Sequence, residues 1–200
     1  MKILLFFISF FIFLSDVHAK GNRDFYKANG LMYSIVKPDN ISNTSGGTFY
    51  EDPDADAFGL LFIRGENKDM LRMESEVFYG ETPSEFGLSP TVRANIKTIH
   101  LMQNFLFDVG ITQTSNFVFG IGGGAHLSMV ETDAGGGNDK DDDENFGLVY
   151  NISAGFDINE KIELLFRYSD YGKVEGGSNT TGGAPKFDYI THSLIFKYKF

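Results

Sequence analysis

The stretch "HSLIFKYKF", residues 192–200, splits by parity. Counting back from Phe200, alternate positions are Tyr198, Phe196 and Leu194, then Ile190 beyond His192; the other set is Lys199, Lys197, Ile195, Ser193 and Thr191. A two-residue period that sorts apolar from polar is a strand, because successive side chains of a strand leave on opposite faces. A strand running up to Phe200 would fray unless neighbours held it, so the rest of the chain must supply them.

Alternation of the same kind recurs at about 24–36, 57–65, 70–80, 92–107, 116–130, 146–158 and 161–172, which with 187–200 predicts eight strands. Short links at 66–69, 108–115 and 159–160 alternate with long polar ones at 37–56, 81–91, 131–145 and 173–186. Strict alternation puts every long connection at one end. The expected fold is all-β: an eight-stranded antiparallel up-and-down transmembrane β-barrel with short periplasmic turns and long extracellular loops.

Composition agrees with this and narrows the function. The 200 residues include 21 Phe, 9 Tyr and 23 Gly but neither Trp nor Cys, which leans towards β structure and leaves no disulfide or thiolate metal site. A net charge of -10 repels nucleic acid. Residues 1–19 carry Lys2, an apolar run from Ile3 to Leu14, and small residues at Val17 and Ala19. They read as a signal peptide cleaved after Ala19, with 20–200 as the barrel; the run is short for a membrane-spanning helix of about 20 residues. An uncleaved N-terminal anchor is the alternative.

Parity assigns the faces. Phe117, Phe119, Ile121, Ala125, Leu127 and Met129 are expected to face lipid, with Val118, Gly120, Gly122, Gly124, His126 and Ser128 facing a lumen where small residues leave room. Phe146 to Phe156, Ile162 to Tyr168 and Leu71 to Tyr79 follow the same rule. In the first strand Lys27 and Asn29 share the outward parity of Phe25, Leu31, Tyr33 and Ile35, so either Lys27 sits near the headgroups or the register slips. A soluble lipocalin-like barrel has the same alternation. Mid-strand charges on the polar faces and the absence of Trp favour the membrane barrel.

"LLFRYSDYGKV", "FVFGIGGGAHL", "TIHLMQNFLFDV" and the terminal "SLIFKYKF" together resemble the outer-membrane β-barrel domain family, the small OmpA-type and opacity-type surface antigens of Gram-negative bacteria. The resemblance spans about 24–200. It implies an outer-membrane surface protein contributing to envelope structure or to host attachment through its loops. It also implies contact with outer-membrane lipid and lipopolysaccharide, and handling by periplasmic chaperones and the barrel-assembly machinery. Leu194, Phe196, Tyr198 and Phe200 stand where that machinery's signal is expected. A monomer is expected, with no cofactor.

Three groups of residues could carry chemistry. Arg72, Glu74, Glu76, Glu163, Arg167, Lys197 and Lys199 all point inward on this register and read as a lumen charge network, with Glu163 and Lys197 close enough to pair. A small-solute channel is the functional alternative to a salt-bridged plug. His126 and Ser128 form an HxS that resembles outer-membrane lipid A deacylases, although Met129 and Val130 stand where that pattern has Asn-Ala. The acidic stretch 131–145 spaces Asp139, Asp141 and Asp143 like a calcium loop but lacks its Gly and closing Glu, so a solvated loop is expected and no metal site is assigned.

Overall fold

A computed structural model describes residues 24–42, 54–82, 86–89, 92–133, 140–177 and 184–200. The expected signal peptide lies outside them. Among the described residues there are nine strands: β1 (Asp24–Ser42), β2 (Ala55–Lys68), β3 (Leu71–Glu81), β4 (Phe86–Ser89), β5 (Val92–Gly110), β6 (Asn116–Asp133), β7 (Lys140–Asp157), β8 (Ile162–Glu175) and β9 (Lys186–Lys199). Eight of them close an antiparallel ring. Each pairs with its sequence neighbour, β3 with β5, and β1 pairs with β9 from Ala28↔Lys199 to Pro38↔Tyr189. Closure answers the question posed by residues 192–200: β9 has β8 on one side and β1 on the other.

The fourth strand was not expected. Four residues long, β4 pairs only with the outer end of β5, within the 81–91 link. The other departures are extensions, short ones at the tight end, where β2 runs on to Lys68 and β5 to Gly110, and longer ones at the loop end. The acidic run Lys140–Glu144 is not a solvated loop but the start of β7, paired with β6 from Asp133↔Lys140 to Met129↔Glu144. Backbone pairing overrides the low strand propensity of Asp there, because β6 offers an unfilled ladder. Likewise β1 continues past Val36 to Ser42 and β8 past Gly172 to Glu175.

The tight end is built from local polar capping. Asp69 takes a left-handed φ of 54° between β2 and β3. The Asn159 carboxamide oxygen accepts from the amides of Lys161 (2.8 Å) and Ile162 (2.9 Å), and Thr112 Oγ1 accepts from Ser115 N at 3.0 Å. The register of β1 holds: Lys27 faces outward at this end, its amide donating to Phe200 O (3.1 Å) and its carbonyl accepting from Phe200 N (2.8 Å). Lys27 is thus at the rim of the apolar belt rather than within it.

Outward positions carry that belt. Leu31, Ile121, Ile152 and Phe166 are each about 60% exposed, and similar residues continue around all eight ring strands. For a domain in water this would be a heavy cost, since contiguous exposed apolar surface on soluble monomers rarely exceeds a few hundred Å². Inward positions are buried. The usual relation of a soluble domain, apolar inside and polar outside, is inverted at the charges and kept only in part by apolar layers.

Candidate functional site

The lumen is layered along the barrel axis. Nearest the tight end lies a charged layer of three cations and four carboxylates. Glu163 sits 2.5 Å from Arg72, 2.8 Å from Lys197 and 3.1 Å from Lys199. Lys197 also reaches Glu74 at 2.6 Å, Arg72 reaches Asp108 at 2.9 Å, and Lys199 reaches Asp157 at 2.5 Å. The Tyr26 hydroxyl donates to Glu74 at 2.5 Å. Arg72, Glu74, Glu163 and Lys197 are all at most 1% exposed. Burial of this depth is tolerable only because each charge has several opposite partners.

Above it Leu61, Phe78, Leu106, Val118, Leu165 and Ile195 form an apolar layer. The Phe78 ring fits because β2 is glycine where the ring crosses it: a Cβ at Gly59 would stand 2.1 Å from Phe78 Cε2.

At mid-height Arg167 grips Glu76 with both terminal guanidinium nitrogens, at 2.6 and 2.9 Å, a fork geometry that a lysine cannot supply. His100 Nε2 donates to Glu76 Oε1 at 2.8 Å, and Asn104 donates to Oε2 at 3.2 Å. That fixes the His100 tautomer, so Nδ1 accepts from the Tyr171 hydroxyl at 3.0 Å. Asn151 donates to Asn104 Oδ1 at 2.8 Å, a contact permitted by Gly122, whose Cβ would otherwise meet that oxygen at 2.0 Å.

His126 and Ser128 lie in the next layer. His126 Nε2 donates to the Tyr171 carbonyl at 2.9 Å, and its Nδ1 accepts from Ser128 Oγ at 2.9 Å. The carbonyl needs this partner because the β7–β8 ladder stops at Tyr150↔Asp170, where β8 bulges through Gly172 at φ +70°. Beyond the break Asn145 acts as a substitute strand, donating to Glu175 O and accepting from Glu175 N, both at 2.7 Å. The His–Ser pair therefore closes a seam. At 2% and 0% exposure, it presents no face to a substrate.

Over this layer Val36, Leu88, Ile96, Val130, Val174 and Phe187 form an apolar cap, with Tyr171 stacked on Tyr189 at 4.5 Å beneath it. Leu88, from the unexpected β4, is 1% exposed. The side chains that fill these layers are buried, and among the described residues no cluster of metal-ligating side chains is present.

All seven residues of the expected charge network face this lumen, and the structure joins them in two groups: Glu76 with Arg167, and the other five near the tight end. Sequence reading missed Tyr26, His100, Asn104, Asp108, Asp157 and Tyr171. Each has the inward parity of its strand, which was the available signal. Leu194, Phe196 and Tyr198 project outward with Phe200, 38–64% exposed.

No protein-family model and no curated protein matches the chain. Among solved structures, the outer membrane protein AlkL in lipid bilayers is similar at a TM-score of 0.50, with 12% identity over 92% of this chain and 94% of AlkL. Neisserial surface protein A matches at 0.49 and 15% over 90% and 100%; Ail of Yersinia pestis, the attachment invasion locus protein, at 0.49 and 12% over 88% and 99%. The similarity to AlkL establishes the fold, that of a small outer-membrane β-barrel.

Proposed function

We propose that the chain is an outer-membrane surface protein, a monomeric barrel whose task is carried by the connections at its long-loop end, in envelope structure or attachment to another surface. The observation that supports this is the pairing of an apolar belt around the outside with buried side chains filling the lumen among the described residues. The belt needs lipid, which disfavours the lipocalin-like carrier. The buried side chains that fill the lumen among the described residues disfavour a solute channel, and the enclosure of the His126–Ser128 pair disfavours acyl transfer on a lipid. What remains for interaction is the loop end. The β-barrel-assembly role of Leu194, Phe196, Tyr198 and Phe200 belongs to this reading.

The test compares intact cells with and without the protein for adhesion to host cells and extracellular matrix, alongside a version with 134–139 and 178–183 replaced by short Gly-Ser links. Loss of attachment with the barrel still in the outer membrane supports the reading. Recovery of the protein in the soluble periplasm, or stepwise conductance in planar bilayers, contradicts it.

A further inference from the structure

At the loop end β7 runs on beside β6 after β8 has ended. Its pairing with β6 is unbroken from Asp157 to Lys140, but its ladder with β8 stops at Tyr150↔Asp170. The cause lies in β8, which bulges through Gly172, stays with β9 at Lys173↔Asp188, and finishes at Glu175, level with Asn145, whose carboxamide bonds its main chain. From there the chain turns in over the lumen, where the Gly177 carbonyl accepts from Thr132 Oγ1 of β6 at 3.1 Å. Among the described residues, 140–144 of β7 therefore form a sheet edge beyond the end of β8, about 17 Å long at 3.4 Å per residue.

The direction of that edge follows from the turn below it. Ile158 N donates to Ile162 O, so even-numbered residues of β7 aim their main-chain groups towards β8 and odd-numbered ones towards β6. With no register shift along β7, Glu144 presents its N–H and C=O on the open side, while Asp143 directs its own at β6. The side chains of Asp143 and Glu144 leave on opposite faces, and both are exposed. The sequence here, residues 139–144, reads DKDDDE, five carboxylates to one lysine. Lys173 of β8 stands lower, opposite Asp188 in the β9 ladder, and leaves the edge acidic.

Carboxylates on an edge strand deter a second copy of the same strand, because like charges opposite one another destabilise a ladder. They favour a strand that brings Lys or Arg, and here they favour cations on both of its faces. We infer that β7 receives an extended basic segment of another protein as an added strand along 140–144, with main-chain pairing supplying the attachment and Asp143 and Glu144 the choice of partner. This names a partner class for the loop-end role proposed above and rests on that reading.

The probe is a short fluorescein-labelled peptide repeating Thr-Lys-Arg-Val, added to the full-length mature barrel in non-ionic detergent and followed by anisotropy. Its control is the same peptide N-methylated at every amide, which keeps the charge and loses the main-chain donors. The unmethylated peptide is expected to bind at least about tenfold more tightly and to slow amide exchange at 140–145. Glu144→Pro removes a main-chain donor from the open side and leaves the β6 ladder, which uses odd-numbered residues, intact; it should weaken binding about tenfold. Replacing both Asp143 and Glu144 with Lys should abolish it, and this pair carries the test if heat-modifiable gel mobility shows the Pro variant unfolded. Equal binding of the methylated peptide, which would mean charge attraction alone, overturns the inference, as does unchanged exchange at 140–145 or no binding of either peptide. Those results leave the adhesion comparison of intact cells standing, whereas recovery of the barrel in the soluble periplasm would overturn the surface reading itself.

Discussion

Replacing Arg167 with Met tests how dry the middle of the barrel is. Arg167 is 2% exposed, binds Glu76 through two nitrogens at 2.6 and 2.9 Å and donates to Ser153 at 3.2 Å. The substitution keeps most of the side-chain volume and leaves Glu76 buried, with only His100 and Asn104 to hold it. Breaking one member of a buried pair costs about 3–5 kcal/mol, most of it the stranded partner. With a urea dependence of about 2 kcal/mol per molar, the unfolding midpoint in vesicles should fall by roughly 1.5–2.5 M. Removing both, as Glu76→Met with Arg167→Met, should recover most of that loss, because an apolar pair of similar size is close to neutral. Gel mobility of folded against unfolded forms supplies the curve, and the double-mutant cycle isolates the coupling. A single variant within about 0.5 kcal/mol of wild type would refute the reasoning: the lumen would then behave like solvent-exposed surface, where ion pairs carry that little.

Three other perturbations read different layers. Lys197→Met, which removes the cation shared by Glu74 and Glu163, should destabilise the barrel by more than Lys199→Met, since Lys199 has an 11% exposed side chain and Lys197 none; urea midpoints decide the order. Gly122→Ala drives a Cβ to 2.0 Å from Asn104 Oδ1 and should cost about 1–3 kcal/mol, whereas outward Gly123→Ala, with nothing nearer than 3.7 Å, should be nearly silent. Asn145→Ala removes both bonds across the β7–β8 seam and should cost about 1–2 kcal/mol, with faster amide exchange at Glu175 as its local signature.

Parity made most of the fold readable. Eight ring strands, the faces of β3, β6, β7, β8 and β9, and the pairing of Glu163 with Lys197 at 2.8 Å all follow from a two-residue period. What parity cannot show is where a ladder stops, since that depends on the neighbouring strand. Hence Lys140–Glu144 read as loop from its charges, although β6 extends far enough to pair with it. β4 was invisible because four residues carry too short a pattern, and its register shifts between Gly87 and Ser89. The charge network was legible as an inward set but not as a set of contacts. That His100 would share Glu76 with Arg167, or that His126 would bond a carbonyl freed by a bulge, depends on heights around a closed ring that no single strand encodes.

The central claim is that the exposed apolar face meets lipid. Single cysteines at 193 through 198, spin-labelled in reconstituted vesicles, measure it directly through collision with oxygen, which partitions into lipid, and with a water-soluble nickel chelate. Positions 194, 196 and 198 should show high oxygen and low nickel accessibility, alternating with low values for both at 193, 195 and 197. Loss of that alternation, or high nickel accessibility at 194, 196 and 198, would contradict a lipid-facing belt.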